Sequence, residues 1–341
     1  MSKNKRENFY TSLSCIEKEM KYYRDYFKGK IIYCNCDDTK DSNFFKYFSL
    51  NFERLELKAL VTTSYVKNGK GTIFIYKGDL NNNKIIDEEE IDLKGLESDG
   101  DFRSPECLKI LQRVDIVVTN PPSTLINEFI EILLNYKKDF IILGNLGDIQ
   151  KKNIFFALKE NKLWIGKSLS GTTAIEFISK NKENNIFANN SIWFTNLKIR
   201  EKLEVAPLIR KYSPLEYSFY DKSNIINVDK IKDIPYDYNE VIGVPITVIR
   251  FLGTDGLLHF EIPIDNNKEK LFRILGISYS GKCLGEIDCP TKINEKETYI
   301  RLFIQATKEK VEVKKKEIRK DIFDEVISLV KFSIEPLFKI L

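Results

Sequence analysis

The sequence predicts an α/β fold: a mostly parallel sheet closed by an antiparallel hairpin, followed by a smaller, irregular domain. Three observations carry this. Apolar strands alternate with amphipathic helical stretches from about residue 30 to residue 166. The apolar run Asp115-Ile116-Val117-Val118-Thr119 is cut off by Asn120-Pro121-Pro122-Ser123, so it reads as a buried strand whose chain leaves the sheet at a rigid turn. After about residue 200 the alternation breaks into short strands separated by Tyr, Pro, Asn and Asp.

The elements follow in order. Ser14 precedes Ile16, Met20, Tyr23 and Phe27, an apolar stripe at helical spacing that Gly29 ends. Ile31 to Cys34 forms a short strand closing on Asn35-Cys36-Asp37-Asp38, and Ser42 or Asn43 caps the next helix, with Phe44, Phe45, Phe48 and Leu50. Leu60 to Tyr65 is the second strand. Gly71–Tyr76 and Lys84–Leu93 read as a hairpin inserted over the sheet edge. Ser104-Pro105-Glu106 opens a short helix with proline at its first position. Leu125–Tyr136 is a helix, Phe140–Asn145 a strand, Ile154–Glu160 a helix and Leu163–Gly166 a strand. Thr172–Ser179 and Ser191–Leu197 are expected to form the closing hairpin. Beyond residue 200, Val248–Phe251, Leu271–Gly276 and Tyr299–Ile304 read as strands.

These breaks divide the chain into residues 1–200, 201–307 and 308–341. The last is a charged linker followed by an amphipathic helix with Ile322, Val326, Leu329, Val330, Phe332, Ile334 and Leu337. The 341 residues carry a net charge of +4 and are 43% hydrophobic, enough for one large domain and a smaller one. That charge alone announces no nucleic-acid partner. No apolar run reaches the ~18 residues that span a bilayer, and the basic start has no apolar stretch behind it. A cytoplasmic protein with reduced thiols is expected. The six cysteines are scattered and the single histidine is His259, so no zinc pattern assembles. His259 reads as an ordinary strand residue.

The chemistry sits at Asn120-Pro121-Pro122-Ser123. A strand followed by Asn-Pro-Pro suits methylation of an exocyclic amino nitrogen. Such an amine is a poor nucleophile because its lone pair is delocalised into the ring. Two acceptors aimed at its N–H bonds, the Asn120 side-chain oxygen and the Pro121 carbonyl, draw the lone pair out of conjugation. An aromatic residue usually follows to stack on the base; Ser123 stands in its place. The plainer reading of the same residues is a strand-terminating turn.

With these motifs placed, the sequence resembles the EcoRI-type adenine-specific DNA methyltransferases. The resemblance rests on Asn8-Phe9-Tyr10-Thr11, Ile32–Asp38 with Ser42–Phe48, Gly100-Asp101-Phe102-Arg103-Ser104 and Asp115–Pro122. It continues at Trp193–Leu197, Asp233–Tyr238 and Gly243–Thr247. It implies a Rossmann-like sheet, S-adenosylmethionine as methyl donor without a metal, and double-stranded DNA with a flipped adenine as substrate. It also implies a type II restriction–modification setting, with a cognate endonuclease acting separately.

The resemblance places Tyr10 and Thr11 at the methionine end of the donor. Cys36, Asp37 and Asp38 fall in the turn facing its amino group or ribose, and Asp101 and Phe102 where its adenine is held and covered. The region after residue 200 resembles a target-recognition domain, with Arg200, Lys202, Arg210, Lys211, Arg250 and Arg273 as candidates for phosphate or guanine contacts. The sequence departs from the family at Ser123, where phenylalanine is expected. A weakly active or inactive relative that binds DNA or donor is therefore the alternative. Phe129, Phe102 or a ring from the second domain is the expected replacement for the missing aromatic.

Overall fold

The computed structural model describes residues 9–36, 42–81, 83, 88–168, 175–179, 185–198 and 205–307. Asp37, Asp38, Arg200, Lys202 and the tail 308–341 lie outside the described residues.

The first half is built on an eight-stranded sheet. In chain order its strands are β2 (Ile31–Cys34), β3 (Ala59–Thr63), β4 (Thr72–Tyr76), β5 (Ile91–Gly95), β6 (Ile116–Thr119), β7 (Asp139–Asn145), β8 (Trp164–Ile165) and β11 (Ser191–Thr195). Their spatial order is β5-β4-β3-β2-β6-β7-β11-β8. The central four, β3-β2-β6-β7, are parallel. The pairs outside them are antiparallel on both flanks. From β2 the chain goes first to β3 on one side and later to β6 on the other, so the strand order reverses between β2 and β6.

Among the described residues six helices accompany these strands: α1 (Leu13–Met20), α2 (Arg24–Phe27), α3 (Asn43–Leu50), α4 (Pro105–Arg113), α5 (Ile126–Asn135) and α6 (Lys152–Lys159). Successive residues of a strand point to opposite faces, and here they enter different cores. Ile32, Ile116, Val118 and Ile141 join Ile16 and Met20 of α1 and Phe44 and Phe48 of α3. Tyr33, Val117, Phe140 and Ile142 join Leu111 of α4, Phe129 and Leu133 of α5 and Phe155 of α6. The expected stripe of Ile16, Met20, Tyr23 and Phe27 is fully buried, though Ser12, not Ser14, caps α1 by accepting the Cys15 N–H. Ser42 caps α3, and Ser104 caps α4 with Pro105 behind it.

Several expectations need correction. The large sheet is not mostly parallel: three parallel pairs stand against four antiparallel ones, in part because β4 returns beside β3 by a short connection. The hairpin of Thr172–Ser179 with Ser191–Leu197 does not form. Instead β9 (Ile175–Ser179) pairs with β10 (Asn185–Ala188) and with β1 (Phe9–Thr11) in a separate three-stranded sheet, while β11 enters the large sheet between β7 and β8. The insertion at Gly71–Leu93 is no cover over the edge: β4 and β5 extend the large sheet, with β5 starting at Ile91. Val248–Phe251 is not a strand. Ile246–Phe251 is a 3₁₀ helix that buries Val248, Ile249 and Phe251.

The region after residue 200 is more regular than expected. It contains β12 (Ala206–Pro207), β13 (Ser218–Phe219), β14 (Ile226–Asn227), β15 (Ile242–Pro245), β16 (Leu258–Ile262), β17 (Lys268–Tyr279), β18 (Lys282–Gly285), β19 (Lys292–Ile293), β20 (Lys296–Glu297) and β21 (Arg301–Ala306). Seven of them form a sheet ordered β12-β16-β17-β21-β15-β14-β13, with β18 on β17. Its Val244, Phe260, Phe272 and Ile304 belong to the same buried cluster as Val117 and Phe140 of the first sheet. Asn161, just after α6, donates its side-chain N–H to the Thr254 carbonyl at 2.8 Å. Cys283 and Cys289 are joined as a disulfide where β18 folds back, a correction to the expectation of six reduced thiols; among the described residues Cys15, Cys34, Cys36 and Cys107 take part in no disulfide. No helix among the described residues is long and apolar enough to cross a membrane.

Candidate active site

In an open parallel sheet the carboxyl ends of the strands leave a crevice where the strand order reverses. Here that place lies between β2 and β6. The Thr119 hydroxyl at the end of β6 donates to the Asn35 carbonyl just past β2, so the two strand ends are tied directly together.

Asn120 follows Thr119 and is half-buried; Pro121 is buried, and Pro122 and Ser123 are exposed. Each proline fixes φ and removes an N–H donor, so the strand ladder stops. The Leu125 N–H then closes a turn on the Pro122 carbonyl at 2.9 Å. Among the described residues no donor engages the Asn120 side chain or the Pro121 carbonyl, and both keep their acceptor capacity. The Ser123 carbonyl, in contrast, accepts from the Lys151 ammonium at 2.7 Å.

Other expected site residues converge on the same edge. Thr11 lies in β1, and its carbonyl accepts from the Asn43 side chain at the start of α3 at 2.8 Å. That contact brings the amino-terminal motif to the chain returning from the β2 turn. Cys36 stands at the mouth of that turn with a left-handed φ of 66°. Asp37 and Asp38 lie outside the described residues. Two buried polar atoms at this edge have no hydrogen-bond partner, Thr11 Oγ1 and Asn35 Oδ1. Buried polar groups are normally paired, and such orphans suit a polar ligand. Asn35 was not singled out in the sequence, although its place between a β strand and an acidic turn is a usable signal.

Asp101 sits at the carboxyl end of β3. The approach is very close: a Cβ on Gly100, whose φ is +81°, would lie 1.9 Å from the Ser64 carbonyl oxygen. Only glycine fits there, and it sets the direction of Asp101 and Phe102. The Asp101 carboxylate is gripped by Arg103, from the backbone N–H and Nε at 2.9 Å and from Nη2 at 2.6 Å. The Arg103 hydrogen bonds hold its carboxyl below the usual carboxylate range, against the opposing effect of burial. Arg103 also reaches Glu128 of α5 at 3.3 Å. Phe102 is buried and meets Phe129 edge-on. Phe129 is only 1% exposed, so neither ring replaces the missing aromatic at position 123; both are core.

On the other flank, Glu19 of α1 is fully buried. Its carboxylate accepts from Tyr23 OH at 2.7 Å, the Lys167 N–H at 2.9 Å and the Ser168 N–H at 2.7 Å. Burial raises its pKa, and these hydrogen bonds pull the other way. Glu19 thereby anchors the chain leaving β8.

In the second region the expected cations have different fates. Arg210 is paired with Asp233 at 3.5 Å. Arg273 donates to Gln305 at 3.0 Å. Lys211 is exposed. Arg250 lies over the Phe251 ring at 4.8 Å, and its buried Nε has no partner. Lys270, which the sequence did not single out, donates to the Tyr236 and Tyr238 carbonyls and to the Asn239 side chain. It holds the Asp233–Tyr238 motif in place; burial lowers its pKa. His259 is a buried strand residue with both ring nitrogens on carboxylates, Nδ1 on Glu269 and Nε2 on Asp255 at 2.9 Å.

Comparison with known proteins shows the family. The chain matches, over residues 1–308, the family described as adenine-specific methyltransferase EcoRI. It is 40% identical to the type II methyltransferase M.EcoRI of Escherichia coli over 304 residues, covering 80% of this chain and 93% of that protein. It is 32% identical to M.MgeORF184P of Mycoplasma genitalium over 328 residues, covering 89% of this chain and 96% of the relative. M.MpnI of Mycoplasma pneumoniae is also 32% identical, over 276 residues, with 76% and 82% covered. No solved structure matches the chain. A match running from the amino-terminal motif through both sheets places the protein in one family: the chain belongs to the EcoRI adenine-specific methyltransferases.

Proposed function

We propose that this adenine-specific methyltransferase transfers a methyl group from S-adenosylmethionine to the N6 of an adenine flipped out of a specific site in duplex DNA. The observation that carries the reading is the pair of unengaged acceptors, the Asn120 side chain and the Pro121 carbonyl, at the reversal point of the parallel strands. When bound, the donor supplies an electrophilic methyl group on a sulfonium sulfur. The chain has three tasks: to hold the donor, to hold the amine, and to align them. Alignment of two bound reactants supplies a large part of such a rate enhancement.

Asn120 Oδ1 and the Pro121 carbonyl accept from the two N–H bonds of the target amine and localise its lone pair for attack. The attacking nitrogen becomes cationic and releases a proton readily, so no side chain has to act as base in the attack. Thr11 and Asn35, with their unpaired buried oxygens, and Asp101, oriented by Arg103, fit the polar groups of the donor; Tyr10, Cys36, Asp37, Asp38 and Phe102 complete that assignment. The parallel strands with helices on both faces support the Rossmann-like reading of the sheet.

We assign residues 1–200 to catalysis, 201–307 to target recognition and 308–341 to an appended tail. A cognate endonuclease acting on the same site completes the proposed restriction–modification setting. Expressing the chain in a host without adenine methylation and sequencing its DNA for modified bases tests the reading. N6-methyladenine at one recurring short sequence is the expected result. Unmodified DNA, from a host shown to contain folded protein, contradicts it.

A further inference from the structure

We propose that Lys151 is a positioning residue for methyl transfer: its ammonium fixes the Asn120–Ser123 loop through the Ser123 carbonyl and thereby aims the Pro121 acceptor. The inference rests on the reading of that loop as the amine-holding site.

Lys151 immediately precedes α6, yet its side chain crosses to the loop after β6. Nζ lies 2.7 Å from the Ser123 carbonyl oxygen and 2.8 Å from Asp148 Oδ1. The other oxygen, Asp148 Oδ2, accepts the Asn145 N–H at the end of β7 at 2.7 Å. One ammonium therefore joins the loops that follow two neighbouring parallel strands. The Asp148 side chain is 9% exposed and that of Lys151 29%, so the ion pair is partly shielded, whereas the Lys151–Ser123 contact lies at the surface.

The need for such a clamp follows from proline geometry. The two rings fix φ at positions 121 and 122, and Pro122 confines ψ of Pro121 to the extended region without fixing its value. The direction of the Pro121 carbonyl is set by ψ, and its value within that region is narrowed when the chain is held on both sides. Upstream, β6 and the Thr119–Asn35 hydrogen bond hold it. Downstream, the Leu125–Pro122 turn and the Lys151–Ser123 contact do so. The grip is on backbone, so loop shape does not depend on the side chain at position 123. Serine can stand there without disturbing the acceptors.

A lysine that only stabilised the start of α6 would alter melting and leave turnover at saturation unchanged. The test compares the parent with Lys151→Met and Lys151→Arg, using labelled S-adenosylmethionine and unmethylated bacterial genomic DNA, both saturating, well below the melting temperature of each protein. Misplacing a reacting group by about 1 Å costs on the order of a hundredfold, so Lys151→Met is expected to lower kcat by about tenfold to a hundredfold. Donor and DNA dissociation constants should stay within about twofold, and Lys151→Arg, which keeps the donor group, should restore most of the rate.

A Lys151→Met protein with parental kcat, or one impaired only in KM, overturns the proposal. If Lys151→Met does not fold, Asp148→Asn replaces it: a reduced kcat supports the clamp and an unchanged one overturns it. Asn120→Ala, measured in parallel, separates the two claims. Full turnover there removes the reading of the loop itself, whereas loss there with parental kcat in Lys151→Met removes only the role of Lys151.

Discussion

Phe102 and Phe129 meet edge-on, with ring centroids 4.9 Å apart and planes at 85°. The contact joins the turn that presents Asp101 to the helix that follows Ser123, so the proposed donor and amine sites share one piece of core. Because Phe129 is only 1% exposed, its expected role is mechanical. Phe129→Ala should cost about 3–5 kcal/mol of stability, the range for emptying an aromatic core position, read as a lower midpoint in urea. Phe129→Leu should lose far less and keep near-parental turnover. A large kcat loss in a stable Phe129→Leu protein would mean the ring meets substrate after all.

Arg103 is expected to act on donor binding through Asp101. Without the guanidinium the Asp101 carboxylate loses the Nε and Nη2 contacts and keeps only the backbone N–H of residue 103, and its pKa shifts back toward the ordinary carboxylate value. Arg103 is largely exposed, so the effect is modest: Arg103→Ala should weaken S-adenosylmethionine binding by about two- to fivefold, as for exposed ion pairs. Asp101→Ala should weaken it more, with the fold intact by circular dichroism. Titration calorimetry showing parental affinity in both variants would move the pocket elsewhere.

His259 makes stability depend on pH. Burial opposes its charge, but the hydrogen bonds it donates to Asp255 and Glu269 outweigh this and raise its pKa above the ordinary value. A raised folded-state pKa stabilises fully below the unfolded value of about 6.5, and the contribution fades as pH rises through the folded-state value. The parent should therefore lose stability as pH rises from about 6.5, by an amount that His259→Gln lacks. Denaturation midpoints of the two proteins from pH 6 to pH 9 that run parallel would contradict this.

Much of the fold was legible because local signals agreed. The β6 run with two prolines behind it has one reading, and the helix caps at Ser42 and Ser104 follow from side-chain chemistry. Partner choice was not legible. β-Favouring residues mark Thr172–Ser179 and Ser191–Leu197 as strand segments, but they do not say that β9 pairs with β1 and β11 with β7; tertiary packing decides that. The run Val248–Phe251 failed for another reason: a short apolar stretch looks alike in a strand and in a buried helical turn. In the candidate site, Asn120 and Pro121 were visible as a motif. Lys151, Arg103 and Asn35 became visible only once three strand ends stood side by side.

Ser123 is the point where sequence and family disagree. Its side chain is exposed and its carbonyl is held, so a larger side chain has room without displacing the loop. Ser123→Phe should raise kcat/KM on paired duplex DNA by about tenfold, if ~1.4 kcal/mol of base stacking is gained. The gain should shrink on a duplex whose target adenine is mispaired, because mispairing already lowers the cost of flipping. Equal rates for both proteins on paired DNA would show that position 123 does not meet the base.

The most direct test of the central claim is single-turnover methyl transfer by Asn120→Ala and the parent, with labelled S-adenosylmethionine, unmethylated duplex DNA and nucleoside analysis of the product. The Asn120 contact is made mainly in the transition state, so its loss should lower the rate by about a hundredfold or more with donor affinity unchanged. The parent's product should be N6-methyladenine. Near-parental transfer by Asn120→Ala, or label on another base, would contradict the account.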